Sequence, residues 1–219
     1  IGYPHLNVKI GATHAGITLG EDGASHQMLE DIALMRAIPG MTVISPADAV
    51  STNALVKLAA EMYGPVYLRL GRLDVPVIYD ADTKFEIGKG IQLRNGNDLT
   101  IIATGFMVDQ ALQAAEMLKS DGISARVIDI HTIKPLDNDI IIKAAKETGA
   151  ILTCEEHNVF GGLGSAVSEV VVKNCPVPMD MVAVEDTFGK SGKPYELVEK
   201  YGLTPENIYN KAKTLLSKK

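Results

Sequence analysis

Asn7-Val8-Lys9-Ile10-Gly11-Ala12-Thr13-His14-Ala15-Gly16-Ile17-Thr18-Leu19-Gly20-Glu21-Asp22-Gly23-Ala24-Ser25-His26-Gln27 is a strand that empties into a glycine-rich loop. Asn7–Ala12 has the apolar, extended pattern of a strand, and the fifteen residues Thr13–Gln27 then hold two histidines, two acids and three glycines. Glycine allows positive φ and a close approach of backbone to ligand, while imidazole and carboxylate supply transferable protons and hydrogen bonds. The stretch therefore reads as a functional loop at the carboxyl end of a strand, the edge at which open α/β sheets bind ligands.

Working outward, helix and strand alternate. His26 to Ile38 sets Leu29, Ile32, Met35 and Ile38 near one helical face, with Glu30 and Asp31 expected to turn outward and Ser25 as the expected N-cap. Pro39-Gly40 ends that helix, Thr42–Ser45 predicts a strand, and Pro46-Ala47-Asp48 opens a helix running to about Tyr63. After Gly64-Pro65 a third strand is expected at Val66–Leu70. This alternation favours a parallel sheet covered by helices. The irregular, proline-containing stretch Leu73–Asp82 predicts a boundary that divides the chain into residues 1–82 and 83–219.

In the second part, Phe85–Leu93 reads as an edge strand or hairpin ending at Asn95-Gly96. Strands predicted at Leu99–Thr104, Ala125–Ile130, Ala150–Glu155 and Met179–Val184 recur at the spacing of βα units. Between them, Val108, Ala111, Leu112, Ala115 and Leu118 form one helical stripe and Leu163, Val167, Val170 and Val171 another. Pro194–Lys219 reads as two helices broken at Gly202. The expected fold class is α/β: two three-layer α/β domains, each with a mostly parallel sheet.

Composition narrows the function. With 21 Lys and Arg against 27 Asp and Glu the net charge is −6, and no basic stripe is present, so nucleic acid is not an expected partner. No apolar run nears the ~20 residues of a membrane span, so no membrane partner is expected. Cys154 and Cys175 have neither disulfide-framework nor metal-ligand spacing, which fits a reducing cytoplasm. The loop has no H-x-x-x-H pair or calcium-type acid pattern, so no metal site is expected in it. The chain begins on Ile1, just ahead of a strand, and is expected to be the remainder of a longer polypeptide.

Candidate chemistry gathers on one sheet edge. His14 directly follows a strand, and Asp22 and His26 lie four apart, with His26 expected at a helix start, where backbone N–H groups favour an anion or a neutral imidazole. The bland alternative is a glycine turn with solvated side chains. Arg69 and Arg72 close the third strand, and a guanidinium fork there suits a carboxylate or phosphate, a surface ion pair being the alternative. Gly161-Gly162-Leu163-Gly164 invites a dinucleotide reading, but Val167 replaces the third glycine, so a tight turn with close helix packing is expected. Glu155-Glu156-His157 reads as a solvated strand end, with a domain-interface role as the alternative.

These residues resemble transketolase over essentially the whole chain. THAGITLGEDGASHQMLEDIALMRAIPGMTVISPAD, from Thr13 to Asp48, is similar to the family pattern T-H-D-S-x-x-x-G-E-D-G-x-x-H-Q-x-x-E-x-x-x-x-x-R-x-I-P-N at the same spacing. LRLGRLDVP, from Leu68 to Pro76, resembles the family's L-S-R-Q-N-x-P, and E-E-H-x-x-x-G-G-L-G from Glu155 resembles its C-terminal domain. Ala15, Gly40 and Gly71 depart from the family's Asp, Asn and Ser, which looks more like the C-terminal subunit of a split transketolase than the long single-chain enzyme.

The resemblance implies residues 1–82 as the remainder of a thiamine-pyrimidine-binding domain and 83–219 as the transketolase C-terminal domain. It implies transfer of a two-carbon ketol group from a ketose phosphate to an aldose phosphate, with thiamine diphosphate as cofactor. His14 would contact substrate near the donor–acceptor junction, Asp22 would bind a substrate hydroxyl, His26 would lie by the thiamine and donor carbonyl, and Arg72 would bind the phosphate. The glutamate that activates the aminopyrimidine ring and the domain holding Mg2+ or Ca2+ with the diphosphate would belong to an N-terminal partner subunit or domain, in a working enzyme that is a homo-oligomer. Deoxyxylulose-5-phosphate synthase has a similar D-G-x-T-H-Q segment and the beta chain of 2-oxoacid dehydrogenases shares the fold, but G-E-D-G-x-x-H-Q favours transketolase. A non-catalytic assembly or regulatory module is the alternative of a different class.

Overall fold

The computed structural model describes residues 1–219. The first sheet takes β1 (Lys9–Ala12), β2 (Thr42–Ile44) and β3 (Val66–Arg69), joined through α1 (Asp31–Ala37) and α2 (Ala49–Glu61). The second takes β4 (Ile91–Arg94), β5 (Leu99–Ala103), β6 (Ala125–Asp129), β8 (Ile151–Asn158) and β9 (Met179–Val184). Its helices are α3 (Met107–Ser120), α4 (Asn138–Thr148), α5 (Leu163–Asn174), α6 (Pro194–Lys200) and α7 (Pro205–Leu216). The α/β class with two mostly parallel sheets is as expected.

Strand order in the second sheet is β4-β6-β5-β8-β9, parallel except for β4 at the edge. Only Ile91–Arg94 pairs as a strand, so the expected Phe85–Leu93 strand shrinks and shifts toward its carboxyl end. Both faces of β5 are covered: Ile101 and Ala103 pack with α3 and α7, and Ile102 packs with α4 and α5. That two-sided burial explains a strand apolar at consecutive positions rather than alternate ones.

The first sheet runs β1-β3-β2-β7, where β7 (Thr132–Lys134) is antiparallel to β2. Three residues from the second half of the chain thus complete the sheet of the first, a pairing that no local pattern predicted. The core is shared too, since Ile32, Val43 and Tyr67 cluster with Ile102, Ile128 and Ile133. Asp48 starts α2 with a capping box, its carboxylate accepting from Ser51 N while Ser51 Oγ accepts from Asp48 N. The other Asp48 oxygen accepts from the amides of Ile78 and Tyr79, which fastens the connector between the halves.

Candidate active site

The loop is zipped at its neck. Ala15 N donates to Leu70 O and Gly16 N to Met28 O, at 3.1 and 2.9 Å, so the two ends of the loop leave the body side by side. His14, one residue outside this neck, has φ 66°, a left-handed conformation that costs a non-glycine residue of order 1–3 kcal/mol and gathers at functional sites. Its exposed ring places Nδ1 2.9 Å from Thr13 Oγ1. His26 is likewise exposed, with Nδ1 2.9 Å from Ser25 Oγ. Both rings leave Nε2 without a partner in the chain, and neither histidine bonds to the other, to Asp22 or to Arg72.

Asp22 and Arg72 do meet. Arg72 Nη1 lies 3.2 Å from Asp22 Oδ2 and donates to Leu19 O at 2.9 Å, with Arg72 45% and Asp22 51% exposed. An exposed pair contributes at most about 1 kcal/mol to stability, and the remaining guanidinium donors have no partner in the chain.

The helix expected from His26 begins only at Asp31, so His26 is not at a helix N-terminus and Ser25 is not its cap. The backbone is committed elsewhere: Met28 O accepts from Gly16 N, Leu29 O accepts from Asn158 N, and His26 N and Gln27 N both donate to Gly23 O. Carbonyls turned to the neck and to β8 are aimed away from the helical direction in which the amides four residues onward would lie. The buried Gln27 amide further donates to Ile17 O, Gly20 O and Lys190 O, which ties the loop to the segment before α6.

Under the loop lies a buried charged network, although the sequence pattern favours an outward Asp31 and a solvated strand end at Glu155–His157 and leaves Arg69 open between an anion-binding fork and a surface ion pair. Arg69, 6% exposed, donates from Nε to Asp31 Oδ2 at 2.8 Å and from Nη2 to Met28 O and Glu156 O. Burial raises the Asp31 carboxyl, but the Arg69 charge and hydrogen bonds from Arg69 and Tyr67 outweigh it and hold the group below the usual carboxylate range. Glu155, Glu156 and His157 are buried on β8, not solvated, and Glu156 and His157 bond across to the first half of the chain. Strand alternation splits them: Glu155 accepts from the α5 amides of Leu163 and Gly164, and Glu156 accepts from Thr18 N at 2.7 Å. Burial pushes Glu155 up to about 7 against those two N–H groups. His157 accepts from Ala33 N at Nε2 and donates from Nδ1 to Asn158 O, and burial together with the Arg69 charge pulls it down to about 4. Three polar side chains inside a parallel strand were the available signal, because buried charges demand partners.

The glycine turn at 161–164 packs as expected, for a Cβ on Gly164 would press on Met181 Sδ and Thr153 Oγ1, and one on Gly162 would fall on the Glu155 carboxyl. A cleft of about 500 Å³ opens at the carboxyl ends of β1–β3, lined by Thr13, Ser45, Arg69 and Gly71 and closed by Phe106 and Glu156 from the second half. His14, Asp22, His26 and Arg72 stand outside it on the rim loops, whereas Arg69 lines it. No three His, Cys, Asp or Glu side chains converge as a metal-binding group, and no helix is long and apolar enough to cross a membrane.

The family model described as transketolase, pyrimidine binding domain, matches residues 2–77, and that described as transketolase, C-terminal domain, matches residues 88–208. This chain belongs to the transketolase family. It is 52% identical over 211 residues to a Methanocaldococcus jannaschii protein named "Putative transketolase C-terminal section", covering 95% of this chain and 66% of that one. It is 43% identical to the 6-deoxy-6-sulfo-D-fructose transketolase subunit SqwH of a Clostridium species, over all of this chain and 68% of the relative. A solved structure described as "Split gene transketolase, inactive beta4 tetramer" superposes with a TM-score of 0.93 at 51% identity, covering 99% of this chain and 69% of that one. The chain therefore spans about two thirds of these transketolase relatives, and its two halves follow the transketolase architecture.

Proposed function

We propose that this chain is the C-terminal part of a thiamine diphosphate-dependent transketolase that moves a two-carbon ketol group from a ketose phosphate to an aldose phosphate, and that it is not competent without an N-terminal partner. The observation that carries the reading is the loop itself: two exposed imidazoles with free Nε2 atoms beside an Asp22–Arg72 pair that offers a carboxylate and spare guanidinium donors. These groups form an open rim rather than an enclosed pocket, which suits one wall of a site completed by another polypeptide. The family's pyrimidine-binding domain fits that wall, since the polar, proton-exchanging side of a thiamine ring and sugar needs partners of this kind.

Thiamine diphosphate, when bound, supplies the nucleophilic carbon that accepts and releases the ketol group. The chain's own residues handle the sugar. His26 Nε2 exchanges a proton with the donor carbonyl oxygen, and His14 Nε2 hydrogen-bonds substrate near the bond that breaks. Asp22 accepts from a sugar hydroxyl. Arg72 turns its unpaired donors to the terminal anion, and the sulfonated sugar in the name of the SqwH relative is in keeping with a site that selects an anionic end. The partner holds the metal with the diphosphate, and the description of the split-gene neighbour as an inactive tetramer accords with a C-terminal subunit that assembles but does not turn over alone.

The test is reconstitution. Mixed with a matching N-terminal subunit, Mg2+ and thiamine diphosphate, the chain should restore acceptor-dependent transfer from a ketose phosphate. Carbon dioxide release from pyruvate instead would indicate a 2-oxoacid dehydrogenase-type chain, and absence of any thiamine-dependent reaction would favour a non-catalytic assembly module.

A further inference from the structure

We propose that Glu156, a residue of the second half of the chain that touches none of the candidate reacting groups, is the positioning residue for the histidine-bearing loop. The side chain is 4% exposed and leaves β8 on the face opposite Glu155 and His157, directly under the loop. Its carboxylate accepts from Thr18 N at 2.7 Å. Gly16, with φ +83°, passes so close that any Cβ there would fall on the Glu156 carboxyl, so loop and carboxylate are shaped to each other.

The contact closes a ring. Arg69 donates to the backbone oxygens of both Met28 and Glu156, Met28 O also accepts from Gly16 N, and the Glu156 carboxylate returns to Thr18 N. Both ends of the loop, β3 and β8 are thereby locked by one guanidinium and one carboxylate. The candidate chemistry adjoins the ring: His14 lies two residues before Gly16, and Leu19, the residue after Thr18, gives its carbonyl to Arg72. A shift at Ile17–Thr18 moves His14 and Arg72 together. The second half of the chain thus acts in catalysis at a distance, by fixing loop backbone rather than by contributing a reacting group.

This inference rests on the ketol-transfer reading for its consequence and on the contact alone for its structure, and two measurements separate them. The first is amide hydrogen exchange on the full chain. Glu156→Ala should lower protection at Ile17 and Thr18 by at least about tenfold, with Glu156→Gln intermediate because its amide oxygen still accepts from Thr18 N. The second is kcat of the enzyme assembled with its N-terminal partner, per folded complex and well below Tm. Displacing catalytic groups by about 1 Å costs about 10²-fold, so Glu156→Ala should lose about that much and Glu156→Gln about tenfold, the glutamine variant keeping its Tm within a few degrees. Should Glu156→Ala fail to fold, the isosteric Glu156→Gln decides both arms. Unchanged loop protection, or activity that falls only with the folded fraction, overturns the proposal. If the wild-type assembly shows no ketol transfer, the functional reading fails, and the exchange arm alone upholds or overturns the positioning role.

Discussion

His26 and Arg72 illustrate how little stability and how much chemistry an exposed side chain can carry. Both project from backbone fixed by other residues, so truncating them leaves the fold intact. His26→Ala should reduce kcat of the assembled enzyme by about 10²–10⁴-fold, the range for a lost acid–base group, with unchanged thermal unfolding. Wild-type turnover in that assembly would remove His26 from the mechanism. Arg72→Ala should raise KM for a phosphate-bearing sugar about 10–100-fold, as expected for a lost charged hydrogen bond, and leave KM for a sugar without a terminal anion nearly unaltered. Steady-state kinetics with the paired substrates checks this, and its unfolding midpoint in urea should move by no more than about 1 kcal/mol equivalent. His14, Asp22 and His26 were legible as candidates in the sequence because polar groups clustered among glycines on a loop have few structural uses. Arg69 was not separable from Arg72 by pattern: both close the same strand, yet one is buried against Asp31 and the other pairs with Asp22 in solvent.

At the level of elements, the strands and most helices followed from periodicity and punctuation. Asp48 shows what a single capping residue adds. Its carboxylate serves the first turn of α2 and, through its second oxygen, the amides of Ile78 and Tyr79. Asp48→Ala should cost about 1–2 kcal/mol for the cap and about 1–3 kcal/mol for amides left unsatisfied, measured by urea unfolding, with Asp48→Asn intermediate. The start of α1 was misjudged for a reason local reading cannot reach. His26–Glu30 has helical periodicity, but Met28 O and Leu29 O are claimed by Gly16 and Asn158, residues 12 and 129 positions away in sequence. β7 was missed in the same way, since Thr132–Lys134 is too short to signal a strand and pairs with β2 across the chain.

At the scale of the whole molecule, the two halves are joined by buried polar groups as well as by a shared apolar core. Arg69→Met should destabilise the chain by about 3–5 kcal/mol, because Asp31 would keep a buried carboxylate without its cation, and the double variant Arg69→Met with Asp31→Leu should recover most of the loss in denaturant titrations. Asp129 gives the interface a pH dependence. Burial, with a further push from the Asp48 charge, lifts its carboxyl to about 7 although Tyr79 Oη donates to Oδ2 at 2.6 Å, and its Oδ1 has no partner. The native packing therefore favours the protonated form. Its contribution is fully present below the unfolded value near 3.9 and is lost as pH rises through about 7, up to about 4 kcal/mol as an order of magnitude. The difference in stability between wild type and Asp129→Asn should accordingly grow in favour of the variant between pH 5 and pH 8, as read by Tm across that range.

By itself the sequence determined the α/β class, the order of the main elements and the loop that bears His14, Asp22 and His26, because periodicity, glycine turns and clustered ionisable groups are local properties. Only the tertiary structure decided that Glu155, Glu156, His157 and Arg69 are interior, that β7 belongs to the first sheet, and that the loop is held by a carboxylate from the far half of the chain. Those outcomes depend on which distant backbone groups remain to be satisfied once the sheets have packed, and a buried charge takes its meaning from the partner that reaches it.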